Sequence, residues 1–174
     1  MIIITTIAGL IALAIVLLEA FGKYSPSTSV NQNAPVKTKQ HIAIDAPVEK
    51  VWNVFTDVNR WPEWQKDIPT AMIDGPVKAG SVIHWKTAGF SIHSQLQTVD
   101  EHKKIGWAGK AFGSFAIHIW NFEQYNGQTI VTVEESMEGW LVKLMQGYVQ
   151  SNLHTATERW LRDLKERSEK NGVQ

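Results

Sequence analysis

The sequence predicts an α+β fold in which antiparallel hairpins are followed by one long C-terminal helix. Three observations carry this. Phe115 to Met137 reads as two period-two strands around Asn126-Gly127, the dipeptide best suited to a type I′ hairpin turn. Ser81 to Thr87 and Phe90 to Val99 flank Ala88-Gly89 and form a second hairpin. From Gly139 onward Leu141, Leu144, Met145, Tyr148, Val149, Leu153, Ala156, Trp160 and Leu164 fall on a drifting helical stripe.

The chain opens on a different element. Ile2 to Leu18 holds no charged residue and ends at Glu19, so residues 1–22 match the length of a single membrane-spanning helix at about 1.5 Å per residue. A secretory signal would have a basic residue ahead of the apolar run, and none is present. Lys23, Lys37 and Lys39 follow the run and none precedes it, which places the remaining domain on the cytoplasmic side by the positive-inside rule. Residues 23–39 are rich in Ser, Thr, Asn and Pro, and read as a flexible linker to a domain over 40–170.

That domain begins at Ile42 to Trp64. Ile42 and Ile44 alternate with polar neighbours, and Pro47 suits the first position of a helix. Val48, Val51, Trp52 and Phe55 then share one helical face, and the helix is expected to stop near Asp57 or Asn59 ahead of Pro62. Ile68 to Gly80 is broken by Pro69, Gly75, Pro76 and Gly80, leaving room for a short strand only.

Turn positions set the registers. The Ala88-Gly89 turn pairs Trp85 with Ile92 and Ile83 with Ser94, and puts His84 opposite His93 on the outer face. Two histidines without a third ligand read as a solvated pair rather than a metal site. Ile105 and Trp107 begin the next strand inward, and Gly106, Gly109 and Gly113 mark either bulges or ordinary curvature. The Asn126-Gly127 turn pairs Phe122 with Val131, Trp120 with Val133, and His118 with Glu135, all on one largely apolar face. A carboxylate opposite an imidazole orients it for acid/base work, yet the same pair can simply satisfy itself or hold a ligand's polar end. His118 and Glu135 are therefore the catalytic candidates.

The stretch I-x-I-x-Ala-Pro-Val-x-x-Val-Trp-x-Val-Phe-x-Asp-Val-x-Arg-Trp-Pro-x-Trp at Ile42 to Trp64 resembles the opening of the SRPBCC (START-like) superfamily, in its polyketide cyclase/dehydrase-like branch. Gly80, Ile83, Trp85, Ile105, Trp107, His118-Ile119-Trp120 and Glu135 to Gly139 extend the resemblance over roughly 40 to 168. It implies a helix-grip fold, a curved antiparallel sheet wrapped around the C-terminal helix and enclosing an apolar cavity.

Composition narrows the function. In 174 residues, 17 Lys and Arg balance 17 Asp and Glu, so no net field favours nucleic acid. The absence of cysteine excludes disulfides and thiolate chemistry, and no metal constellation, phosphate loop or Ser-His-Asp order is visible. No cofactor is implied. Eight tryptophans suggest an indole-walled interior, and Trp52, Trp85, Trp107, His118, Trp120, Glu135, Met145 and Tyr148 are the expected ligand-binding residues. The leading reading is a membrane-anchored module that binds an apolar small molecule or lipid. The others are a cyclase or dehydratase using His118 and Glu135, and a non-catalytic interaction domain at the membrane.

Overall fold

Hairpin pairing builds the whole sheet. The computed structural model describes residues 2–170, with the side chains of 2–6, 8, 11, 12 and 21 outside the description. Helix α1 (Ile2–Phe21) is followed by β1 (Val36–Ile44), α2 (Val48–Thr56), a short 3-10 turn (Val58–Arg60) and α3 (Trp61–Trp64). Strands β2 (Thr70–Ile73), β3 (Val82–Thr87), β4 (Phe90–Asp100), β5 (Lys104–Ala111), β6 (Ser114–Tyr125) and β7 (Gln128–Glu138) come next. Helices α4 (Trp140–Leu144) and α5 (Gln146–Glu169) close the chain. The seven strands form one antiparallel sheet in the order β1-β7-β6-β5-β4-β3-β2. Its concave face holds α5, which lies along β1 and against α2, so the helix-grip architecture is as expected.

Both predicted registers hold. His84 faces His93 and Trp85 faces Ile92 in the β3–β4 pair, and His118 faces Glu135 and Trp120 faces Val133 in the β6–β7 pair. Asn126 and Gly127 both take positive φ, 48° and 83°, as a type I′ turn requires. The β4–β5 ladder shifts register between Leu96 and Thr98, opposite Gly106, which accounts for one of the three glycines as a bulge partner.

Four expectations need correction. Pro47 is not the first helical residue but the one before it, with ψ at 151°. Helix α2 does stop at Asp57, as expected, but Trp61 is itself helical despite preceding Pro62, and its indole N–H donates to the Phe55 carbonyl at 2.7 Å and holds the ring in the core. The C-terminal helix is broken at Met145 (φ −117°, ψ 32°), close to Gly147, whose place within the stripe already suggests a bend or a start, and Leu144, Met145 and Tyr148 leave the apolar stripe and face outward.

The fourth concerns the N-terminal segments. Residues 23–35 do not behave as a free linker. Tyr24 stacks on Phe115 with ring centroids 5.2 Å apart, and with Val30 it covers Ala108, Phe115, Ile117 and Ile119 on the outer face of the sheet. Asn31 donates its backbone N–H to Ser136 Oγ and its amide to Glu138 Oε2, and Lys104 Nζ donates to the Thr28 carbonyl. The burial of an otherwise exposed apolar face explains the docking. The sheet begins at Val36 rather than near residue 40. For the expected transmembrane helix, among the described residues no helix is long and apolar enough to cross a membrane. What the fold contains is α1, an apolar helix with Leu10, Leu13 and Val16 exposed, whose last turn touches the domain through Glu19.

Candidate functional site

Bulky and small side chains divide the concave face into two halves. At the β6–β7 turn end, Phe55, Trp61, Trp107 and Trp120 pack around Trp160 of α5, with Trp52 and Phe122 packed beside them. Toward the other end the inward positions shrink to Ser94, Gly109, Ala111, Ser114 and Ala116, faced by Ala156 on α5. Close-packed interiors do not collapse over missing volume, so this half stays open. The result is an apolar cavity of about 250 Å³, bounded by Trp85, Trp160, Ile68 and Leu153 and opening past Ala88, Tyr148 and Asn152. Gly109 serves a close approach as well: a Cβ there would lie 2.5 Å from Ser94 Oγ.

The inner end of the cavity carries the His118 and Glu135 couple. His118 Nδ1 lies 2.9 Å from Glu135 Oε2, and both side chains are over nine-tenths buried. The ring N–H direction is poorly aligned with that oxygen, so the approach has ion-pair distance without a well-formed hydrogen bond, and Nδ1 has no other partner. The imidazole is held by its neighbours instead. Trp107 stacks on it at 5.0 Å and 21°, and Trp85 meets it edge-on at 6.1 Å and 77°. Trp85 is itself fixed by donating its indole N–H to Ser94 Oγ at 3.0 Å. Nearer the α5 wall, Asp67 also borders the cavity and is clamped by Arg159 Nη1 at 2.6 and 2.8 Å. Such a couple can orient a ligand's hydroxyl or carbonyl, or pass a proton to it.

Of the eight expected ligand-binding residues, four border the cavity: Trp85, His118, Glu135 and Tyr148. Trp107 and Trp120 are fully buried behind the wall, and Trp52 packs on Phe122 at 5.3 Å, remote from the opening. Met145 sits at the helix break and points away. Sequence reasoning did not assign Trp160, Gln65, Ile68 or the small residues to the site. The run of Gly, Ala and Ser at inward strand positions was the available signal. The His84 and His93 rings pack edge-to-face at 4.6 Å on the outer surface, and among the described residues no group of three metal-ligating side chains occurs.

A sequence model of the family described as polyketide cyclase / dehydrase and lipid transport matches residues 35–169. No curated protein matches the chain. Among solved structures the fold is similar to hypothetical protein jhp0584 from Helicobacter pylori, with a TM-score of 0.72 at 15% identity over 84% of this chain and 100% of that one. It is similar to the ZhuI aromatase/cyclase from Streptomyces sp. R1128, with a TM-score of 0.65 at 13% identity over 76% and 93%. It also resembles the di-domain ARO/CYC BexL of the BE-7585A biosynthetic pathway, with a TM-score of 0.66 at 17% identity over 80% of this chain and 52% of that one. At such identities these likenesses establish the fold alone.

Proposed function

Because the chain belongs to the polyketide cyclase / dehydrase and lipid transport family, we propose that its cavity binds a small apolar molecule bearing one polar group. The observation that carries this is a cavity of about 250 Å³ whose otherwise apolar wall ends on His118 and Glu135. Its size favours a compact ligand. Drug-sized pockets run from roughly 300 Å³ upward, while a cavity of roughly 150 Å³ already holds benzene. A one- or two-ring aromatic or a short acyl chain fits, and a diacyl lipid exceeds the space. The polar end of the ligand lies against the imidazole and carboxylate that border the cavity.

We also propose that α1 holds the domain at a bilayer, with the domain on the cytoplasmic side. The support is a 20-residue helix with no charge before Glu19 and with Leu10, Leu13 and Val16 exposed, and lysines that only follow it. Flotation of the full chain with phospholipid vesicles tests this, and a chain that stays in the aqueous layer contradicts it.

A second reading is catalysis, supported by the buried imidazole and carboxylate facing the same void. Here His118, held in place by Trp107 and Trp85, exchanges a proton with the ligand while the nearby Glu135 carboxylate favours the charged ring. Native mass spectrometry of the full chain from its own cells identifies any stoichiometric ligand. His118→Ala that still binds that compound but no longer converts it favours the enzyme. Binding with no conversion by the native chain favours the carrier.

A further inference from the structure

Three separate segments present large apolar side chains to solvent around the cavity opening. Phe90 is 46% exposed and follows Ala88, which borders the opening on the β3–β4 turn. Phe112 is 53% exposed on the β5–β6 turn between Ala111 and Ser114, both of which border the cavity. Leu144, Met145 and Tyr148 are 75%, 42% and 66% exposed at the α4–α5 break, and Tyr148 borders the opening directly. Outside α1, the remaining exposed large apolar residues among those described are Met72 and Tyr125. The exposed apolar surface of the domain is thus concentrated at the mouth, and such concentration marks an interaction surface.

The chain itself indicates what covers that surface. The last turn of α1 is fastened to it: Glu19 Oε1 accepts hydrogen bonds from the Gly113 N–H and from Trp140 Nε1, the latter at 2.9 Å. Phe112 meets the Trp140 ring edge-on at 5.4 Å, so the helix end and the mouth share one side of the molecule. Leu17 and Leu18 line a surface hollow with Trp140 and Lys143, which joins the apolar surface of α1 to that of the mouth. Exposed Lys23, Lys110 and Lys143 lie beside it, and their stems and charges suit an interface with phosphate groups. Glu19 and Glu138, the acidic residues of this region, are already engaged by hydrogen bonds within the chain.

We propose that the mouth is a bilayer-docking surface, in which Phe90, Phe112, Leu144 and Tyr148 enter the lipid interface and the ligand passes directly between the acyl layer and the cavity. The inference rests on the placement of α1 at a bilayer proposed above. An interfacial ring of aromatic and aliphatic side chains lowers the barrier to transfer, because the apolar ligand need not cross water on its way to His118.

The native chain lacks cysteine, so single cysteines at Phe112, Leu144 and Tyr125 can each carry an environment-sensitive fluorophore. Tyr125 ends β6 at the far side, roughly 35 Å along the strand from the β5–β6 turn. Each labelled full chain is reconstituted into phosphatidylcholine and phosphatidylglycerol vesicles with doxyl groups on the acyl chains. At least a twofold quench at 112 and 144, with an unchanged signal at 125, is the expected result. Equal signals at all three positions in a chain that remains on the vesicles overturn docking alone. A chain that fails to float with the vesicles overturns the bilayer placement and docking together. Quenching that depends on protein concentration and not on doxyl lipid means a second copy covers the mouth, and also overturns the inference. F112S/L144S, held on vesicles by α1, should slow 2-naphthol transfer from vesicle to protein about tenfold. An unchanged rate overturns direct passage.

Discussion

His118 Nδ1 and Glu135 Oε2 stand 2.9 Å apart across the β6–β7 ladder, at the closed end of an apolar cavity that opens beside the helix break at Met145. The pair is buried on one side by Trp107 and Trp85 and borders empty space on the other.

Breaking this pair from one side should cost more than removing it whole. Glu135→Leu removes the carboxylate that stands 2.9 Å from the imidazole, and urea unfolding should show a loss of about 1–3 kcal/mol. H118L/E135L should recover much of that loss, since an apolar pair suits the surrounding wall. A double-mutant cycle with no coupling would mean the two side chains do not interact.

Two carboxylates on α5 should bend the pH dependence of stability in opposite directions. Burial pushes the Asp163 carboxyl above its ordinary value, and its Oδ2 has no hydrogen-bond partner. The native state therefore binds this proton more tightly than the unfolded chain, and the resulting penalty appears as pH rises from the ordinary carboxylate value through the raised one. Asp163→Asn should raise the urea midpoint at pH 7, by about 1 kcal/mol in stability, and the gain should vanish at pH 3. Glu169 behaves in the opposite sense: hydrogen bonds from Lys165 Nζ at 2.6 Å and from the Asp45 N–H at 2.7 Å hold it below its ordinary value. Its contribution is present above the ordinary carboxylate value and is lost as pH falls through the lowered one. Glu169→Gln should be destabilising at pH 7 and neutral below pH 3.

The docked segment ahead of β1 should matter to stability. Tyr24 stacks on Phe115 and lies 5.0 Å beneath the Lys110 ammonium, closing the outer apolar patch. Tyr24→Ala should cost about 1–2 kcal/mol in thermal or urea unfolding. A loss indistinguishable from zero would mean that the segment rests on the sheet without supporting it.

These outcomes also mark where sequence reasoning reaches and where it stops. The turn at Asn126-Gly127 and strict alternation fixed the pairing of His118 with Glu135, because a one-residue slip would have turned Trp120 and Phe122 out of the core. Alternation says which face a tryptophan occupies but not how far along the strand α5 fills the space above it. Trp107 and Trp120 are inward, as expected, yet they fill core while Trp85 borders the void. What opens the cavity is the absence of volume at Gly109, Ala111 and Ala116, a run of small inward residues whose meaning depends on where α5 lies above them. The polar composition of 23–35 likewise hid Tyr24 and Val30, two apolar contacts sufficient to seat the segment. The resemblance to the family supplied the grip of sheet around helix. It did not supply the break at Met145, which turns Leu144 and Tyr148 outward at the mouth.

The central claim is tested most directly by calorimetric titration of 2-naphthol into the native full chain and into Ala116→Leu. Ala116 borders the cavity, and the added leucine atoms occupy its volume without removing any core contact. The account predicts one saturable site in the native chain and at least tenfold weaker binding in the variant, with the urea midpoint little changed. Equal affinity in both chains would place the ligand elsewhere and contradict the cavity as the functional site.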